Sequence, residues 1–169
     1  MAGSSCGSGV FLWFLGGALV VVWAVFHDPR FDHRLVMIGA VMPDAIDAPF
    51  GGARVAHTVV ASVVLLFAVM VGTIGRRGLR RHLLALPIGT FLHLLLDGIF
   101  TTTTVFWWPF AGGHLSDARL PSISRGRWNA LLELIGASLL AWAWRRFGLG
   151  DPARRRRFAR TGRLEPLDR

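Results

Sequence analysis

The sequence predicts an all-α fold, a polytopic membrane helix bundle with about four transmembrane helices plus a re-entrant or interfacial half-helix. Three observations predict it. Apolar residues make up 53% of the 169 residues, with a mean hydropathy of +0.48, and they fall in blocks, not in periodic amphipathic stripes. All 19 basic residues are Arg, and most of them cluster at the ends of apolar blocks. Ionisable side chains recur inside the blocks, where a charge is costly and usually serves function.

Residues 10–26 form the first expected span, near the lower limit of about 17 residues. No basic residue precedes it, and no small-x-small site follows it before His27-Asp28-Pro29. It therefore reads as a retained helix, not a cleaved signal. Residues 35–50 are apolar but hold Pro43, Asp44, Asp47 and Pro49. That is too short and too polar for a simple span, so the segment reads as a half-helix lining a cavity. Within it, Pro43 suits the first turn of a helix carrying Asp44 and Asp47, where a missing N–H costs little. Residues 56–74, 83–100 and 128–144 are the second, third and fourth spans, the last with Trp128 and Trp144 as interface anchors.

Arginines set the expected orientation. Arg76, Arg77, Arg80 and Arg81 join the second and third spans, and nine more Arg follow the fourth. Placing both groups in the cytoplasm puts both termini there and leaves residues 27–54 and 101–127 outside. The expected location is the bacterial plasma membrane. Residues 1–150 read as the membrane-embedded domain and residues 151–169 as an Arg-rich cytoplasmic tail without fixed structure. The net charge of +9 lies mainly in these two Arg groups, so nucleic acid is not expected as a partner. Contact with anionic lipid head groups is the expected secondary role. The lone Cys6 excludes an internal disulfide.

This topology gathers the odd polar residues at one level. His33, Asp44 and Asp47 precede the second span, and His57 opens it. His93 and Asp97 lie in the outer half of the third, and Glu133 lies one to two turns into the fourth. His93 and Asp97 are four apart, and Asp44 and Asp47 three apart, so each pair shares a helix face. Imidazole together with carboxylate suits Zn²⁺, Mn²⁺ or Fe²⁺, and a site poor in Cys favours an open position for water. The expected ligands are His33, Asp44, Asp47, His57, His93 and Asp97, enough for two ions. Zinc is the first choice, with manganese, iron or magnesium as alternatives. Asp44 or Asp97 could instead serve as general base. Thr58 could cap the following helix or support a ligand, and Arg54, Arg125 or Arg127 could hold a phosphate. Glu133 is a weaker supporting member.

Each residue also has a plainer reading. Asp44 and Asp47 could be turn carboxylates, His33 a loop residue and His57 an interfacial one. His93 and Asp97 could be a buried hydrogen-bonded pair, and Glu133 could pair with Arg125 or Arg127. His27, His82 and His114 are assigned no chemistry.

The order of motifs resembles the YdjM-like family, described as LexA-binding, inner-membrane-associated metal-dependent hydrolases. The residues that carry it are Asp32-His33-Arg34, then residues 39–47 ending in Pro43-Asp44-Ala45-Ile46-Asp47, then Arg54-Val55-Ala56-His57-Thr58 and His93-Leu94-Leu95-Leu96-Asp97, with Trp108-Pro109 following. The chain departs from the family in spacing Asp44 and Asp47 as Pro-Asp-x-x-Asp and in placing Thr58 where the family has Ser. The resemblance implies a small membrane protein with a metal site held by His33, Asp44, Asp47, His57, His93 and Asp97. The expected function is membrane-bound, metal-dependent hydrolysis of a phosphoester or lipid-linked substrate at the outer interface. The alternative is an ion or small-molecule transporter component that uses the His/Asp cluster. A third class is a non-catalytic scaffold whose Arg tail binds a partner.

Overall fold

A computed structural model describes residues 10–28, 30–47, 49, 54–101, 103–111 and 127–167, and the regular structure among them is helical. In chain order the helices are α1 (Phe11–Phe26), α2 (His33–Asp47), α3 (Val59–Gly72), α4 (Arg77–Leu83), α5 (Ala85–Asp97), α6 (Thr103–Phe106), α7 (Arg127–Arg146) and α8 (Pro152–Thr161). Short 3-10 turns cover Val55–His57 and Ile99–Thr101.

The all-helical expectation stands, but the membrane bundle does not. Among the described residues, no helix is long and apolar enough to cross a membrane. α1 has 16 residues, α3 has 14 and α5 has 13. At 1.5 Å per residue these reach roughly 20–24 Å, short of the ~30 Å hydrocarbon layer. α7 has 20 residues, but its sequence includes Arg127, Glu133, Arg145 and Arg146. The location in a bacterial plasma membrane, with cytoplasmic termini and an outward-facing site, rested on those spans and falls with them. Hydropathy misled because it does not register helix ends. Residues 83–100 form one apolar run, yet α4 stops at Leu83 and Gly98, at φ 68°, stops α5.

Residues 33–47 are also more than a half-helix. α2 is a full helix with Pro43 inside it, not in its first turn. The proline forfeits one backbone bond. Asp32 starts the helix: its Oδ1 accepts from the backbone N–H groups of Arg34 (3.2 Å) and Leu35 (3.4 Å).

α2 packs chiefly on α5, α1 lies against α2, and α7 lies against α1. The α2–α5 crossing depends on two glycines. A Cβ on Gly39 would overlap the Leu86 carbonyl, and one on Gly89 would overlap that of Val36. The backbones therefore touch at this point, with Val36, Ala40 and Ala85 fully buried around it. Gly16 and Gly136 allow the same close approach between α1 and α7. The apolar surplus of α3 lies on its outside, with Val63, Phe67 and the following Ile74 56%, 69% and 72% exposed.

Within the Arg-rich tail, where no fixed structure was expected, Pro152–Thr161 form a helix. Asp151 caps α8 by accepting from Ala153 N–H at 2.9 Å, and Pro152 occupies the first turn. Beyond it, Leu164 is buried with Phe147, Leu19 and Ala143.

Candidate metal centre

The crossing of α2 and α5 positions the site. His93 projects from α5 one turn after Gly89, and its Nδ1–H donates to the Ala40 carbonyl of α2 at 2.7 Å. A carbonyl only accepts, so this bond sets the tautomer and turns Nε2 the other way. Phe14 of α1 covers the ring, with centroids 4.1 Å apart. His57 lies at the end of a 3-10 turn, just before Thr58 caps α3 by accepting from Ala61 N–H at 3.1 Å. The His57 Nδ1 meets Asp47 Oδ2 at 2.8 Å. Both imidazoles are fully buried, and both aim Nε2 at one point.

Asp44 completes that point. The His57 Nε2 is 3.2 Å from Asp44 Oδ1 and 3.3 Å from His93 Nε2, and His93 Nε2 is 3.7 Å from the same Asp44 oxygen. Three donors bonded tetrahedrally at about 2.0–2.1 Å would stand roughly 3.3–3.4 Å apart. The observed triangle is close to that, and the cluster of Asp44, His57 and His93 could hold a metal ion. Two imidazoles and one carboxylate leave coordination positions open, the arrangement of catalytic zinc sites and of non-haem iron sites.

Electrostatics point the same way. Burial works against a charged His57, but the hydrogen bonds to Asp44 and Asp47 outweigh it and raise its pKa to about 9. Burial also pushes Asp47 upward, yet the bonds from His57 and from the Arg54 and Ala56 N–H groups hold it below the usual carboxylate range. With His93 Nδ1–H committed to Ala40, the His93 Nε2 is an acceptor. A proton on His57 Nε2 therefore lies among the three donors.

The other expected ligands are placed differently. Asp47 stands behind His57 and contributes no donor to the triangle; it accepts from His57 and from the Arg54 and Ala56 backbone N–H groups at 2.8 and 3.4 Å. Asp97 is buried one turn beyond His93 but does not join the convergent group. His33 is far off. It opens α2, eleven residues before Asp44, a separation of about 16 Å along the axis. Its Nδ1 contacts the carbonyls of Phe31 (2.9 Å) and Gly162 (3.3 Å). Glu133 caps α1 instead, accepting from Leu12 N–H at 2.9 Å. Thr58 is a helix cap whose hydroxyl donates to Val55 O at 2.8 Å. Arg125 and His114 lie outside the described residues. The six-ligand, two-ion expectation thus contracts to three donors among the described residues. Sequence reading missed the Ala40 carbonyl and the Phe14 ring, since no side-chain chemistry marks either position.

No protein-family model matches the chain, and neither does any curated protein or solved structure. The class defined here is therefore structural: a helical protein with a buried two-histidine, one-carboxylate cluster.

Proposed function

We propose that the chain is a divalent-metal-dependent hydrolase acting on phosphoesters. The observation that carries this reading is the convergence of His57 Nε2, His93 Nε2 and Asp44 Oδ1, with positions left open around them. Zinc suits the donors best; manganese and iron suit them also. When bound, such an ion lowers the pKa of water and polarises a phosphoryl oxygen. The chain's own residues do the rest. Asp44, His57 and His93 hold the ion, and Asp47 and the Ala40 carbonyl fix the two rings and strengthen them as ligands. Asp97, buried one turn along α5, is assigned the role of proton acceptor. The resemblance of the motif order to that of the YdjM-like hydrolases is in keeping with the same reading.

The test is elemental analysis of purified protein beside His93→Ala, with hydrolysis of bis(p-nitrophenyl) phosphate followed before and after chelation. One tightly held ion that is lost in the variant, with turnover that follows metal content, is the expected result. Equal metal content in both proteins, or turnover that chelation leaves intact, overturns the proposal.

A further inference from the structure

The two Arg groups lie far apart in the chain and meet in the fold. The turn between α1 and α2 holds them together. From α4, Arg81 donates to Asp28 Oδ2 at 2.6 Å, and His82 Nδ1 lies 3.7 Å from Asp32 Oδ2. From the other side, the Arg34 guanidinium, paired with Asp32, donates to the Ala159 carbonyl of α8. The end of α7 joins them, with the Arg146 guanidinium 6.0 Å from the Trp23 ring centre in the last turn of α1. One pole of the bundle therefore gathers the arginines of α4, α8 and the end of α7. It is the pole where α2 begins, and the Asp44 of the metal centre lies toward the other end of that helix.

Among the described residues, the carboxylates at this pole are already engaged. Asp28 and Asp32 face Arg81 and Arg34, Asp151 caps α8, and Glu165 accepts from Arg157 at 3.0 Å. The exposed Arg76, Arg77, Arg155 and Arg160 have no described carboxylate within ion-pair distance. The pole thus presents a surplus of positive charge, and its complement is a surface rich in anions. Large apolar side chains stand among these cations. Ile74 lies two residues before Arg76, Leu79 between Arg77 and Arg80, and Trp144 beside Arg145, and all three are exposed. Phosphates could come from a nucleic-acid backbone or from lipid head groups. The interleaved apolar groups favour lipid. A nucleic-acid backbone leaves Ile74 and Leu79 in water, whereas a bilayer takes such side chains in just below its phosphates.

We infer that this pole docks on the surface of an anionic lipid bilayer, with Arg76, Arg77, Arg155 and Arg160 among the phosphates and Ile74 and Leu79 seated beneath them. The contact is with one leaflet, and no helix crosses it. Each Arg near such a surface strengthens attachment roughly fivefold, and the gain fades as salt rises. The α4 and α8 groups then act as one surface, although the chain supplies them separately. The inference stands apart from the proposed hydrolysis, because none of these residues belongs to the metal centre.

The experiment is co-sedimentation of the full chain with vesicles of equal parts phosphatidylglycerol and phosphatidylcholine, beside vesicles of phosphatidylcholine alone. Binding to the anionic vesicles is expected to be at least tenfold tighter, and to weaken at least tenfold when NaCl rises from about 0.1 to about 0.5 M. Arg76→Gln with Arg77→Gln should weaken it roughly tenfold or more, and Arg155→Gln with Arg160→Gln should do the same. All four together should lower it further, with circular dichroism confirming the fold of each variant. Ile74→Ser should weaken binding several-fold and leave its salt dependence unchanged. Equal affinity for the neutral vesicles overturns the inference, because it would report adhesion of exposed apolar surface alone. So does a loss confined to one of the two Arg pairs. A DNA duplex bound as tightly as the anionic vesicles, with no effect of Ile74→Ser on either, overturns the choice of lipid.

Discussion

The two ends of α2 carry nearly the same chemistry and serve opposite purposes. At the start, Asp32, His33 and Arg34 bring a buried carboxylate, a buried imidazole and a guanidinium together. Near the end, Asp44 and Asp47 meet His57 and His93. At the first end the carboxylate and the imidazole Nδ1 are turned onto neighbouring groups of the chain. Arg34 donates from Nε to Asp32 Oδ1 (3.1 Å) and from its terminal nitrogen to Oδ2 (2.9 Å), and it also reaches the Ala159 carbonyl of α8. The His33 backbone N–H donates to Gly162 O at 3.0 Å. Gly162 has φ 69°, and a Cβ there would overlap Asp32 Oδ1. This end is a clamp that holds α8 on the bundle. At the second end, each imidazole is held from behind through Nδ1, and two Nε2 atoms and the Asp44 carboxylate face one another at 3.2–3.7 Å. Residue type does not distinguish a clamp from a metal centre. The difference is whether the donor atoms are directed apart or converge on one point.

That contrast can be broken in several ways. The largest effect is expected from His57→Ala or His93→Ala: bound metal falls from about one ion per chain to nearly none while helical content persists, read by elemental analysis and circular dichroism. His33→Ala should leave metal content unchanged; metal loss in that variant would put both ends into one site and end the comparison. Asp47→Asn sharpens it. The carboxylate supports His57 without touching the ion, so affinity should drop about 10- to 100-fold and the site should still fill at high metal, measured by competition with a chromophoric chelator. Gly162→Ala tests the clamp. The left-handed backbone and the Asp32 overlap should cost about 1–3 kcal/mol in denaturant unfolding with no change in metal affinity.

The smallest effect is a pH dependence. Burial, partly offset by the Gly162 and Phe31 carbonyls, holds the His33 imidazole below its ordinary value of 6.5. In the folded chain His33 therefore binds a proton less readily than in the unfolded chain. Its contribution to stability is full above the unfolded value and is lost as pH falls below it. Relative to wild type, His33→Gln should flatten the decline in stability between about pH 7 and pH 5, followed by chemical denaturation across that range.

Much of the site was legible and much of the fold was not. His93 with Asp97 stood out as a pair inside an apolar run, and His57 beside Thr58 marked a helix start that Thr58 does cap. Asp44 was correctly grouped with both histidines. His33 and Glu133 were drawn in because an assumed membrane frame placed them at the same level. Splitting α2 at Pro43 concealed the 15-residue helix that holds His33 away from the site. Asp47 was read as a ligand because spacing puts it on the face of Asp44, and spacing cannot tell the front of an imidazole from its back.

Two kinds of information meet in this protein. Local order along the chain determined which side chains with metal affinity exist, which share a helix face and where turns begin. The crossing of α2 and α5 decided which of them converge. Gly39 and Gly89 bring two backbones together, and only then can the Ala40 carbonyl hold one ring while Asp47 holds the other. Those bonds join residues ten to fifty-three positions apart, and a hydrogen bond of that reach is a property of packed helices, not of neighbouring residues.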